Sequence, residues 1–363
     1  DWGTQALALY RTLNAAQGEA KTLIHLANIL DDQGEYALAT TYYQQALTLQ
    51  RERNDRVGES MVLFNLAVHY RNQDDFNGAA ASYEQALQLC RTTGHQEYIG
   101  VVLCHLGTLH VDRSEYTAAL AVLIQALEHS RMISDQYNES LALDGLGLLH
   151  HYLGDYDRAA SYYKQALDIC HSIGYQPGVQ RMLGLLGMLA YHRGDLARAT
   201  ELLQQAFEQG TEESRRYEVG SLLIYLGHVR AEQGQLAAAA DAYGQALTLL
   251  RAMCQHNQAT EALAGLARVA LMEGSPPAAL PQVEEILHHL QEQPQLPGTD
   301  EPLRVYLTCY QFLQAINDAR ATDILQAAST ILQARAASID DERLRRSFLE
   351  NVAVHRALCG EGT

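Results

Sequence analysis

Residues 143–167 read LDGLGLLHHYLGDYDRAASYYKQAL, and the reading of this stretch decides the fold. Leu143, Leu146 and Gly147 fall at helical spacing, and Gly154 permits a tight turn. Ala159, Tyr163 and Ala166 then resume on one face of a second helix. The closing Gln165-Ala166-Leu167 is an echo: the same tripeptide begins at Gln5, Gln45, Gln85, Gln125 and Gln245, and Gln205-Ala206-Phe207 fills the gap. A fixed forty-residue period predicts a stacked repeat array.

Working outward, residues 20–59 show one unit. Leu23, Leu26, Ala27 and Leu30 predict a helix A from Ala20 to Gln33, Gly34 ends it, and a helix B runs from about Glu35 to Glu52. The Leu23 position returns as Leu63, Leu103, Leu143, Leu183, Leu223 and Leu263. The Leu26-Ala27 pair becomes Leu66-Ala67, Leu106-Gly107, Leu146-Gly147, Leu186-Gly187, Leu226-Gly227 and Leu266-Ala267. Small residues at these crossings let helices approach, and the large residues at Tyr43, Tyr83, Leu123, Tyr163, Leu203 and Tyr243 fill the space between.

The pattern resembles the tetratricopeptide repeat, most fully at Leu146-Gly147, Gly154-Asp155-Tyr156, Ala159, Tyr163 and Ala166. The period of forty, in place of the usual 34 or so, resembles the kinesin-light-chain-like subclass. The repeat-closing proline is absent, with Arg51, Arg91 and Arg131 in its place. The resemblance implies an all-α fold, a right-handed tetratricopeptide superhelix or α-solenoid. The expected organisation is a partial repeat at 1–14, seven repeats over 15–290, a proline-rich connection at 291–301, a degenerate eighth hairpin at 302–337 and a capping helix and tail at 338–363. The cap is read as one helix from Asp340 to Leu358, needed because a terminal repeat has no neighbour for its apolar face.

The tail carries a second resemblance. Glu301-Pro302-Leu303-Arg304-Val305-Tyr306 and Arg345-Arg346-Ser347-Phe348-Leu349-Glu350-Asn351-Val352 look like the ends of bacterial multidomain signalling proteins, in which a STAND-type ATPase precedes a tetratricopeptide sensor. It implies an upstream ATPase or effector domain as a partner within a longer chain. The start at Asp1, without Met and within a helical pattern, agrees with an excised piece.

Helix geometry locates the binding face. At about 100° per residue, the side of helix A opposite its buried face carries Lys21, His25 and Asn28. The resemblance implies that this stripe lines a concave groove. Its first rungs are polar: Asn28, Asn65, Asn72, Arg71 and Lys21 are candidate holders of an extended peptide backbone, and His105 and Asp112 are further groove candidates. Further along it turns apolar at Leu141, Leu148, Leu185 and Met188, beside Gly145 and Gly184. Asp144, Tyr152, Arg181, Tyr191, His192, Tyr225, His228 and Arg268 surround this patch. An apolar floor with convergent polar groups is the pattern of a binding pocket, and an exposed apolar patch marks an interaction site. The alternative is that another helix covers these residues.

Charge narrows the partner. With 26 Lys and Arg against 43 Asp and Glu, the net charge of −17 argues against direct nucleic-acid or anionic-membrane binding. Six dispersed cysteines without a CxxC suit reduced thiols of a cytoplasmic protein, and no run of about 18 apolar residues suggests a span. The sequence holds no Walker motif, GxSxG, GxGxxG or HExxH, so no enzyme and no cofactor is expected. Of fifteen histidines, His192 and His228 stand on neighbouring rungs and could approach each other, whereas His110 and His150 suit the core. The leading expectation is a sensor or interaction module that binds a peptide, protein or small effector in its groove. The alternatives are a constitutive scaffold and, third, a groove-based metal-dependent hydrolase.

Overall fold

The computed structural model describes residues 2–13, 15–73, 75–210 and 215–361. The outermost residues of the expected segments 1–14 and 338–363 therefore lie outside the described residues. Two compact units divide the chain: residues 1–113 with 118–142, and residues 114–117 with 143–363. Every regular element among the described residues is helical.

Unit one holds α1 (Trp2–Thr12), α2 (Ala16–Asp32), α3 (Tyr36–Glu52), α4 (Arg56–Asn72), α5 (Phe76–Thr93) and α6 (Gln96–Asp112). Next come α7 (Tyr116–Met132) and α8 (Gln136–Tyr152), which contribute residues to both units. Unit two continues with α9 (Tyr156–Ser172), α10 (Gln176–His192), α11 (Leu196–Gln209), α12 (Arg215–Glu232), α13 (Leu236–Ala252) and α14 (His256–Met272). A short 3-10 turn, Pro276–Ala279, leads into α15 (Leu280–Glu292). The tail is α16 (Pro302–Ala315), α17 (Arg320–Ala337), α18 (Glu342–Glu350) and α19 (Ala353–Glu361).

The period has a local cause. Helices such as α2, α3 and α4 are each 17 residues long, and three-residue turns separate them. Each turn turns on one left-handed residue, and these recur every twenty positions: Gly34, Asn54, Gly94, Ser114, Ser134, Gly154, Gly174, Gly194, Gly234, Cys254 and Gly274. The bonding is that of a Schellman motif: Glu35 N–H donates to Leu30 O at 2.8 Å and Gly34 N–H to Asp31 O at 3.0 Å. The A and B helices are thus nearly equal half-repeats, and the extra length over a 34-residue unit is spread over both helices.

Close crossings use the small residues. A Cβ on Gly147 would lie 2.4 Å from the Tyr163 ring, and one on Gly107 would lie 2.6 Å from the Leu123 side chain. The large partners Tyr43, Tyr83, Leu123, Tyr163, Leu203 and Tyr243 are all buried. Clusters centred on Tyr43 in unit one and Tyr243 in unit two form parts of the core.

Two boundaries differ from the sequence reading. α2 begins at Ala16, a turn before the expected Ala20, because Ala15 at its cap makes no side-chain bond that would mark the start. The expected single capping helix is two nine-residue helices. Between them, Asn351 Nδ2 donates to Gly154 O at 3.1 Å, and Arg356 donates to the carbonyls of Glu350 and Asn351 at 2.7 and 3.0 Å. The Arg356 bonds satisfy carbonyls that a continuous helix would have paired internally.

Candidate functional site

The A-helix stripe differs between the units. In unit one its polar side chains bond mostly to one another. Asn28 Oδ1 accepts from Tyr43 Oη at 2.6 Å, Asn72 Nδ2 donates to Asp31 Oδ2 at 3.0 Å, and Arg71 Nε donates to Asp112 Oδ2 at 2.7 Å. Asn65 Nδ2 turns back onto Met61 O at 2.8 Å. His105 packs edge-on to Phe64 with ring centroids 4.9 Å apart, and burial followed by the Arg71 charge pushes its imidazole down to about 4. Asn28, Asn65, Arg71, Asn72, His105 and Asp112 remain partly exposed, as does Leu141. This face therefore consists of side chains already fixed by neighbours.

In unit two much of the stripe is covered. Leu148, Tyr152, Arg181 and His192 keep partial exposure, but Leu185, Met188, Tyr191, Tyr225 and His228 are buried. The expectation of an exposed apolar patch is thus corrected at Leu185 and Met188, which are 5% and 4% exposed. Facing the stripe is the chain's own stretch from Asp300 to Thr308, with α16 packed against α14. Arg181 Nε bonds Asp144 Oδ2 at 2.6 Å at the edge of this region.

The centre is an ion pair that the sequence reading did not single out. Arg304 grips Glu301 with two bonds of 2.6 and 2.8 Å, and its guanidinium lies 5.6 Å from the Tyr191 ring centroid. Glu301 also stands 3.7 Å from His228 Nε2. Burial acts to raise the Glu301 carboxyl, but the Arg304 charge outweighs it and holds the group well below the usual carboxylate range. Burial and Arg268 push His228 well down, so it is a neutral imidazole whose Nδ1 meets Tyr243 Oη at 2.6 Å. Arg268 donates to the same Tyr243 oxygen at 3.1 Å.

His192 and His228 approach the same two rings, both packing on Tyr191 and Tyr225, but each has its principal neighbour elsewhere. His192 instead meets His151 edge-on at 4.9 Å between ring centroids, and His228 stacks on Tyr191 at 5.6 Å. Burial and the neighbouring His192 lower His151 to about 3. His150 is buried, whereas His110 is only partly so. Among the described residues no group of three or more His, Cys, Asp or Glu is placed to hold a metal ion, and no helix is long and apolar enough to cross a membrane.

Sequence reasoning could have found Arg304. Its repeat position is otherwise Ile24, Phe64, Cys104, Asp144, Gly184, Ile224 and Ala264, so only Asp144 and Arg304 put a charge there. Glu261 stands on the same stripe, at the repeat position of Lys21 and Arg181, and Tyr243 is read there only as a packing residue, whereas His151 carried no such signal.

The stripe of α14 also shows what these helices do to a polypeptide. Asn257 Nδ2 donates to Pro297 O at 3.0 Å, Gln258 Nε2 donates to Gly298 O at 3.2 Å, and Glu261 accepts the Glu301 backbone N–H. Three side chains from one helix face therefore hold the backbone of an irregular segment. Glu261 is deeply buried, and burial with the neighbouring Asp300 raises its carboxyl well above the ordinary value.

Beyond this segment the tail crosses to the turn after α8. Arg343 lies 3.5 Å from Asp155, Ser338 Oγ donates to Ser114 O at 3.3 Å, and Phe348 packs near Tyr116 with centroids 6.1 Å apart. Under these helices is a cavity of about 50 Å³, lined by His151, Tyr152, Tyr156, His192, Glu301 and Phe348 among others.

Comparison with known proteins agrees with this architecture. Tetratricopeptide repeat patterns match residues 18–92, 98–171 and 178–252, and a second pattern of the same description matches 224–297. No curated protein matches the sequence. Among solved structures, the Rap conjugation gene regulator of plasmid pLS20, in complex with the Phr* peptide, is similar at a TM-score of 0.65 and 12% identity, over 93% of this chain and 96% of that one. The STAND protein with a tetratricopeptide repeat sensor from Pyrococcus horikoshii is similar at 0.53 and 13% identity, over 91% of this chain and 50% of that one. BtubC (BKLC) from P. vanneervenii is similar at 0.50 and 19% identity, over 57% of this chain and 87% of that one. At these identities the structures speak for the fold alone. The repeat patterns cover more than half of the chain, and the chain belongs to the tetratricopeptide repeat family.

Proposed function

We propose that this chain is the ligand-binding interaction module of a signalling protein, and that it takes a peptide or protein segment on the A-helix face of unit two. The observation that carries the reading is the grip of Asn257, Gln258 and Glu261 on the backbone of residues 297–301. A helix face that already holds polypeptide through backbone groups has the chemistry to hold another. The partly exposed rim at Leu148, Tyr152, Arg181 and His192 is where an incoming segment makes first contact. In fold, the similar Rap regulator was solved with a peptide and the similar STAND protein carries a tetratricopeptide sensor, which supports the sensor role. On this reading an ATPase or effector domain in the full-length chain is the output partner. A ligand shifts that output only through different affinities for two states of the module.

The test is quantitative capture from native lysate with wild type and a Leu148→Asp/Tyr152→Asp double variant. These two residues are partly exposed, whereas Met188 is buried and its replacement would disturb packing. A partner that wild type retains and the folded double variant loses supports the reading. Equal capture by both proteins removes the ligand from this face.

A further inference from the structure

The two short helices at the end of the chain sit on the array in a manner that identifies what else fits there. α18 and α19 bury Leu344, Phe348, Val354 and Leu358 and leave Glu342, Arg343, Arg346 and Glu350 exposed. Phe348 is 2% exposed, lies near Tyr116 and contacts His355 at 4.3 Å between ring centroids. Asn351 adds a specific polar contact to Gly154 O. Helices of nine residues are not stable alone in water, so these two are held by the array and not by themselves.

The seat itself is specialised. Gly154 is left-handed, and a Cβ there would lie 2.8 Å from Ser347 O and 3.1 Å from Asn351 Cβ. The left-handed Gly94, Gly174, Gly194, Gly234 and Gly274 have nothing within 4 Å of the same position. At Gly154 alone of these, then, a helix presses onto the turn. The seat is also underfilled: the cavity of about 50 Å³ remains beneath α18 and α19, and the buried His151 Nδ1 in its wall has no hydrogen-bond partner. Incomplete packing and an unsatisfied buried polar atom both leave binding free energy unused.

We propose that the face formed by Tyr116, His151, Tyr152, Gly154 and Tyr156 is a docking site for a short amphipathic helix of a partner protein, and that α18 and α19 are its tethered stand-in. The partner's helix presents an aromatic anchor where Phe348 lies and an amide for Gly154 O at its end, and past the end of that helix the partner places branched aliphatic residues where Val352 and Val354 stand. A partner that also fills the cavity and bonds His151 displaces the tail. The inference rests on the reading that this face of unit two binds protein segments, and it adds the class of ligand and its competitor.

The test uses the full chain and a labelled synthetic peptide of residues 340–361. Phe348→Asp puts a charge in the anchor position and leaves the seat intact. Hydrogen exchange of residues 342–361 is expected to quicken at least tenfold in this variant, and it is expected to bind the peptide at least tenfold more tightly than wild type does. A peptide carrying the same Phe-to-Asp change is expected not to bind. Gly154→Ala alters the seat, and it is expected both to release the tail and to bind no peptide. Gly194→Ala, with the same backbone strain and open space around it, is expected to keep the tail protected. A folded Phe348→Asp chain with a released tail that ignores the peptide overturns the proposal, as does a tail that stays protected in that variant. If the peptide binds as expected but a Leu148→Asp variant, altered outside the seat, still captures the natural partner, the docking site stands and the broader reading of the face falls. If the peptide fails while that variant loses its partner, the reverse holds.

Discussion

The same stripe of A-helix positions is used in two ways. In unit one it is polar, internally bonded and partly exposed, with Asn72 on Asp31 and Arg71 on Asp112. In unit two it is largely buried, and the chain's own Glu301 and Arg304 stand against Tyr191 and His228. Similar helix geometry therefore gives a self-contained surface in one place and a face covered by the chain's own tail in the other. The difference lies in what the unit supplies to the stripe, and the experiments that follow probe it.

The largest contrast is expected from the two arginines. Arg304→Ala leaves the Glu301 carboxylate buried without its partner and is expected to cost about 3–5 kcal/mol. Arg71→Ala breaks a pair whose arginine side chain is 34% exposed, so about 1 kcal/mol or less is expected. Chemical denaturation of both variants checks this, and equal losses would break the distinction between the units.

Next come the two close crossings. Gly147→Ala drives a methyl group into the Tyr163 ring, and Gly107→Ala drives one into the more flexible Leu123. Overpacking costs about 1–3 kcal/mol, and the rigid ring puts Gly147→Ala at the upper end. Thermal melting that ranks Gly107→Ala as the worse change would refute the account.

Acid should separate the units as well. Burial lowers His151 to about 3 and His355 to about 4, and lowers His192 and His228 too, whereas unit one has His105 at about 4. An unfolded histidine titrates near 6.5, so below that pH the unfolded chain takes up protons that these buried rings refuse. Their stabilising contribution is complete above about 6.5 and is lost as pH falls toward the folded values. Glu261 has the opposite sign, since its carboxyl is raised and its contribution is lost as pH rises. Between pH 7 and 5, amide protection relative to intrinsic exchange is expected to fall more in α10, α12 and α16 than in α2 and α4. A uniform fall would count against the buried histidines as the cause.

The smallest effect concerns helix starts. Asp75 Oδ1 accepts the Gly78 N–H at 2.9 Å, and Asp75→Ala is expected to cost about 1 kcal/mol in unit one. Asp195 caps Arg198 N–H in unit two at 3.0 Å, and Asp195→Ala should match it. Local capping is the term on which the two units ought to agree.

The fold was legible because its packing positions repeat. Leu146-Gly147 and Tyr163 carry the same information as Leu106-Gly107 and Leu123, so each unit corroborates the next. The stripe was legible for a similar reason, since helix geometry alone assigns Tyr225 and His228 to one face. Whether that face meets water was not legible, because Leu185 and Met188 are covered through tertiary packing that periodicity does not encode. Glu301 and Arg304 occur once, inside a degenerate repeat; their i,i+3 spacing permits the pair, but its burial against Tyr191 and His228 depends on tertiary packing. The break at Asn351 was hidden because the Gly154 carbonyl that its side chain meets lies nearly two hundred residues away in sequence.

The left-handed turn every twenty residues gives the chain something like a reading frame. An insertion or deletion of forty residues would keep every helix in its role. A change of twenty would keep every turn in phase, yet would exchange A and B helices downstream and send the A-helix stripe to the opposite side. The segment 293–301 departs from this frame, and α16 begins at Pro302, six residues after the Leu296 at which the beat would have started it. Length variation in such a chain is therefore quantised: whole beats conserve architecture, but only paired beats conserve the side on which the A-helix stripe lies.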